Sequence, residues 1–104
     1  VVAGSGCGTS SAANQSGSDI SGTLGVTCGS AGTANNAMVT VTFAHAYSTA
    51  PNCTISPDNA ITASTMVSAR VYPVSTTTTL AIMCGTGGTC PSSGANSWNY
   101  VCSQ

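Results

Sequence analysis

The sequence predicts an all-β fold: a small antiparallel β-sandwich, jelly-roll-like or immunoglobulin-like, stapled by disulfides. Short runs along the chain alternate between apolar and polar residues, with the period of two that a half-buried strand has. Many of these residues are β-branched, and Gly, Pro, Asn and Asp separate the runs. No window carries a convincing apolar stripe at helical spacing. Two packed sheets of about six to eight strands follow from this pattern, with a small barrel as the alternative.

Six predicted strands follow one another from Ile20 to the C-terminal end. They cover residues 20–28, 37–47, 52–56, 65–72, 78–84 and 97–102. The residues predicted to face inward are, strand by strand, Ile20, Leu24, Val26 and Cys28; Val39, Val41 and Phe43; Cys53 and Ile55; Val67, Ala69 and Val71; Leu80, Ile82 and Cys84; and Trp98, Tyr100 and Cys102. Phe43, Trp98 and Tyr100 are expected to close the core between the two sheets.

The first nineteen residues have a different composition. They are rich in Gly, Ser, Ala and Asn and contain almost nothing large to bury, which is typical of a segment that does not fold alone. We therefore predict a flexible N-terminal arm over residues 1–19, pinned at Cys7, and a β-sandwich domain over residues 20–104.

Six cysteines in 104 residues indicate an oxidising compartment. They include no CxxC pair and are spaced poorly for a metal site, so they read as three disulfides among fifteen connectivities. Cys84 and Cys90 flank a short Gly-rich loop that bends back easily, which favours that pair. The other two bridges are less constrained: Cys53 and Cys102 each lie in a strand-like run and can join two core strands, which leaves Cys7 with Cys28.

Charge is almost absent from this chain. Only Asp19, Asp58 and Arg70 are formally charged, which is 3% of the residues against about 25% in an ordinary domain. Without a basic patch, nucleic-acid binding is not expected, and no apolar run is long enough for membrane insertion. A net charge of −1 favours association, so the polar surface suits packing against copies of the same chain. An inert monomer is the alternative.

The few chemically distinctive residues have mostly structural interpretations. Asp19 is predicted to cap backbone N–H groups in a tight turn, and His45 to lie at a strand end without a catalytic partner. Arg70 is a candidate interface residue that can also pair with Asp58 or Asp19. No catalytic, metal or cofactor site is predicted, and no cofactor is expected. Trp98 and Tyr72 are candidates for stacking on a sugar.

Short motifs along most of the chain carry a resemblance. They are CGT at 7–9, GSDISGTL at 17–24, VTVTF at 39–43, AY at 46–47, APNCT at 50–54 and WNYVC at 98–102. This pattern resembles a β-sandwich domain that recurs in tailed-phage virion proteins, often near the C-terminus of tail fibres and related appendages. Cys28 and the Cys84–Cys90 pair depart from the pattern and indicate extra stapling for an extracellular setting.

The resemblance implies a function as well as a fold. We expect a non-enzymatic structural protein of a bacteriophage virion, as a fibre, appendage or capsid-decoration subunit at the virion surface. Its expected partners are copies of itself, as a trimer or filament, other virion proteins and a host-surface glycan. Two alternatives remain at this point: a cellular extracellular filament that polymerises by strand addition through residues 1–19, and a secreted carbohydrate-binding module that uses Trp98 or Tyr72.

Overall fold

A computed structural model describes residues 1–9, 11–30, 32–85, 90 and 93–104. The fold is all-β, with two antiparallel sheets of four strands each, in the orders β1-β4-β7-β6 and β2-β3-β8-β5. The strands are β1 (Val2–Ala3), β2 (Ala12–Gly17), β3 (Ser21–Thr27), β4 (Ala37–Thr42), β5 (Asn52–Pro57), β6 (Tyr72–Ser75), β7 (Thr79–Met83) and β8 (Ala95–Ser103). A 3₁₀ turn (Ser5–Cys7) follows β1, and a helix α1 (Ala60–Ser68) precedes β6. The predicted sandwich is confirmed.

The core lies between the sheets and follows the predicted alternation. In β8, Trp98, Tyr100 and Cys102 are buried while Asn99 and Val101 are exposed. Leu24, Val26 and Cys28 of the first predicted strand, Val39, Val41 and Phe43 of the second and Leu80, Ile82 and Cys84 of the fifth are buried as predicted. Burying a large apolar side chain stabilises the fold by about 1.5–3 kcal/mol, so these rows drive the packing of one sheet on the other.

The N-terminal residues belong to the sandwich. Strand β1 pairs with β4 in one sheet, and β2 pairs along its full length with β3 in the other. The predicted boundary between an arm over 1–19 and a sandwich over 20–104 therefore does not match the structure. The prediction rested on the lack of large side chains, but the pairing of β2 is made by its backbone and needs none.

The strand predicted over residues 65–72 was wrong. Helix α1 occupies the first half of this span, Val67 is 80% exposed, and only Tyr72 belongs to a strand. The Asn59 side chain caps the helix by accepting from the Thr62 amide at 2.8 Å. The helix turns buried threonines, Thr62 and Thr65, toward the sandwich, so it lacks the apolar stripe by which an amphipathic helix is recognised.

The sequence also suggests that the strand predicted over residues 20–28 has an exposed edge where another chain docks, and both this edge and the inward position of Ile20 need correction. Ile20 lies in the turn between β2 and β3 and is 63% exposed, because the Ser18 amide bonds the Ser21 carbonyl and closes the turn there. Strand β3 is central, between β2 and β8, so it offers no free edge. The edge strands are β1, β6, β2 and β5.

The three disulfides are Cys7–Cys28, Cys53–Cys102 and Cys84–Cys90. This is the pairing that the sequence suggested. Cys53 and Cys102 are directly opposite each other in the β5–β8 pair, so their bridge reinforces that edge of the sheet. Residues 86–89, the loop predicted to bend between Cys84 and Cys90, lie outside the described residues.

Candidate functional site

A groove lies between the β2–β3 turn of one sheet and the end of β4 in the other. Its volume is about 430 Å³, and it is open to solvent. Gln15, Asp19 and Ile20 line one side, and Val41 and His45 lie on the other. The groove therefore brings together one of the two acids of the chain and its single histidine.

Asp19 ties the two sides of the groove together. Its Oδ1 accepts from the Ala44 amide at 2.8 Å, and its Oδ2 accepts from the His45 amide at 3.0 Å. These hydrogen bonds, with Ala44 contributing most and His45 next, hold the pKa of the Asp19 carboxyl below its usual value; partial burial opposes them, and the charge of His45 adds a small lowering. The carboxylate caps backbone groups as predicted, but across the sandwich rather than within its own turn.

Two tyrosine hydroxyls hold the β2–β3 turn through hydrogen bonds to its backbone. The Tyr100 hydroxyl donates to the Ser18 carbonyl at 2.6 Å and accepts from Gln15 Nε2 at 2.9 Å. The Tyr47 hydroxyl donates to the Asp19 carbonyl at 2.7 Å. These hydrogen bonds fix the position of the β2–β3 turn, so this side of the groove is held in place.

In the groove, the Asp19 carboxylate holds the backbone of the neighbouring loop in position. A histidine base needs an acid to orient its ring, but both Asp19 oxygens bond amides of the main chain instead. Over the described ranges, no group of three His, Cys, Asp or Glu side chains comes together in a way that would hold a metal ion. What the groove does expose is the side of strand β2, through Gln15 and Gly17.

The candidate stacking and interface residues are spread apart. Trp98 is fully buried between the sheets, which confirms its predicted place in the core and corrects its alternative interpretation as a sugar-stacking residue. Tyr72 is 40% exposed on edge strand β6. Arg70 is exposed just after α1 with a φ of 51°, whereas Asp58 precedes that helix and accepts from Ser97 Oγ at 3.2 Å. Arg70 and Asp58 thus lie at opposite ends of α1.

The outer face of the β2-β3-β8-β5 sheet carries small uncharged side chains. One row across all four strands reads Ser16, Thr23, Asn99 and Ser56, and the neighbouring row reads Ser21, Val101 and Thr54. We call this surface the outer polar face. The strands of this face contain no charged side chain. Sequence analysis could not locate the face, because Ser and Thr occur throughout the chain.

Comparison with known proteins adds no assignment. No family model, curated protein or solved structure matches the chain. Among the helices described, none has the length and apolar character needed to cross a membrane. The three disulfides are compatible with an extracellular or otherwise oxidising environment.

Proposed function

We propose that this chain is a non-enzymatic structural subunit of a bacteriophage virion, in a fibre, appendage or capsid-decorating position. It acts there by assembling with copies of itself and with other virion proteins at the particle surface. Attachment to a host-surface glycan is a further part of the proposal, with Tyr72 as the exposed aromatic.

The observation that carries the proposal is the outer polar face. Charge on a protein surface keeps copies apart, and the four strands of this face contribute none. The carboxylate of Asp58, just after β5, lies at the margin of the face, where it accepts from Ser97 Oγ and from Asn99 Nδ2. Its side chains are short, so another flat surface can approach closely and exchange hydrogen bonds with Ser, Thr and Asn. The small core of a chain of this size gives only marginal stability by itself. Its three disulfides reinforce the fold, which supports a role at the exposed surface of a particle. The short motifs from residue 7 to residue 102 support the virion context.

The two alternatives have weaker support. Polymerisation by strand addition through residues 1–19 would require β1 and β2 to leave the sheets in which they are paired. A carbohydrate-binding module would have to rely on Tyr72, because Trp98 is buried.

Co-fractionation tests the proposal. Particles are purified on a density gradient from cultures that produce the chain, and its chymotryptic peptides are quantified in each fraction; trypsin is unsuitable because Arg70 is its one cleavage site. We expect the chain to peak with particles that contain DNA and capsid protein. Its presence only in fractions without particles would contradict the proposal, and a peak with DNA-free filaments would favour the cellular filament instead.

A further inference from the structure

We infer that strand β2 is a docking edge for β2 of a second copy, so that two sheets join into one continuous eight-stranded sheet across a two-fold axis. This inference rests on the proposed assembly from copies of the chain and names the surface that two copies share.

The outward side of β2 follows from its hydrogen bonding to β3. In an antiparallel pair, alternate residues bond the neighbouring strand and the residues between them point their N–H and C=O groups away. The Ser18 amide bonds the Ser21 carbonyl, so Ser16, Asn14 and Ala12 also bond β3. Ala13, Gln15 and Gly17 therefore present their backbone groups to the outside.

The other long edges are protected by proline at the corresponding positions. The Asp58 amide bonds the Ser97 carbonyl, so in β5 the outward positions are those of Cys53, Ile55 and Pro57. The Thr76 amide bonds the Thr79 carbonyl, so in β6 the outward positions are those of Pro73 and Ser75. Proline offers no N–H to a new strand, which is a common means of preventing edge pairing.

Strand β2 has no such protection. Its sequence from Ala12 to Gly17 contains neither proline nor charge, and it is six residues long, whereas the fourth edge strand, β1, has two residues. Gln15 and Gly17 are exposed and line the open groove, so there is space beside them for another strand. An uncharged edge without proline is a template for pairing with another chain.

A second copy fits this edge better than an unrelated peptide because the edge is self-complementary. With Gln15 opposite Gln15 of the second copy, Ala13 faces Gly17, and all outward N–H and C=O groups from Ala13 to Gly17 find partners. On the outer polar face, Asn14 then lies opposite Ser16, an amide beside a hydroxyl. Asp19 falls opposite Ser11, so the arrangement brings no two acids together.

Two matched variants and the wild type test the inference. Ser16→Lys adds one exposed positive charge on β2, and Ser64→Lys adds the same charge at an exposed position of helix α1, outside the strands of the outer polar face. Sedimentation velocity over a range of concentrations measures association, and circular dichroism verifies that all three proteins are folded alike. Amide hydrogen exchange follows Gln15 and Gly17, with Asn14 and Ser16 as amides already bonded within the sheet.

We expect Ser16→Lys to raise the dissociation constant of the wild-type pair about tenfold or more, and Ser64→Lys to leave it within about twofold. In the wild type, exchange at Gln15 and Gly17 slows on concentration, while Asn14 and Ser16 are slow throughout. If all three proteins associate equally and Gln15 and Gly17 still exchange fast, the β2 edge is refuted while assembly from copies stands. A wild type that is monomeric at every concentration refutes both.

Discussion

The carboxylate of Asp19 accepts a hydrogen bond from the backbone amide of His45 at 3.0 Å. This contact joins the β2–β3 turn of one sheet to the segment that follows β4 in the other. The Ala44 amide binds the second oxygen of the same carboxylate. One half-buried acid thus holds the β2–β3 turn beside β4, at the point where the groove and the proposed docking edge meet.

Acid should weaken this link. The pKa of Asp19 is lower in the folded protein than its unperturbed value of 3.8, so the ionised form stabilises the fold above that value. This contribution is lost as the pH falls through the lowered folded-state pKa. We expect the melting temperature of the wild type to drop with pH below about 4, and that of Asp19→Asn to be lower at neutral pH and to vary less with acid. Thermal unfolding at a series of pH values measures both; equal pH dependence in the two proteins would contradict the assigned role.

The disulfides should contribute unequally to stability. Cys53 and Cys102 are 49 residues apart in sequence, whereas Cys84 and Cys90 are 6 apart. Loop-closure entropy in the unfolded chain predicts a loss of about 4 kcal/mol when the first bridge is removed and about 2 kcal/mol for the second. Urea unfolding of the two paired Cys→Ala variants, followed by Trp98 fluorescence, compares the losses. A larger loss from the short bridge would show that unfolded-state entropy is not the main term.

Trp98 should behave as a core residue and not as a ligand platform. It is fully buried in β8, so its fluorescence in the folded protein should emit at short wavelength and resist quenching by acrylamide. Trp98→Ala should cost about 3–5 kcal/mol because it leaves a cavity between the sheets. Strong quenching by acrylamide or by a soluble glycan in the native state would contradict this placement.

Two substitutions in α1 distinguish the helix of the structure from the strand that the sequence predicted over residues 65–72. The Thr62 hydroxyl accepts from the Ser97 amide at 2.7 Å, so Thr62→Val leaves a partly buried N–H unpaired and should cost about 1–3 kcal/mol. Val67→Ala should change stability by no more than about 0.5 kcal/mol, because Val67 is exposed. Urea unfolding of both variants provides the test. In a strand with Val67 inward, the ranking of the two variants would be reversed.

Sequence patterns predicted those parts of the fold that depend on burial of large side chains. The alternation at Val39, Val41 and Phe43 survives in β4 and the residue after it, because one face of a sheet must be apolar. Strand β2 escaped the same reasoning because its Ala, Asn and Ser residues make a sheet through the backbone. Helix α1 escaped it because its inward face is built from threonine hydroxyls.

The site was less accessible to sequence reasoning than the fold. The residue type of Asp19 indicated a cap, but its partners, Ala44 and His45, lie about 25 positions away and meet it only through the packing of the two sheets. The proposed docking edge depends on which amides of β2 point outward, a property of strand register that no residue type encodes.

The most direct test of the account is the mass of the native protein in solution, measured by size-exclusion chromatography with light scattering in the absence of reductant. If the chain is an assembling subunit, we expect species with a mass well above 10.1 kDa, whose share rises with protein concentration. These species are either a closed oligomer or an open-ended series. A single species of 10.1 kDa at every concentration would contradict the central claim that this sandwich, with its few charged residues, works by packing against copies of itself.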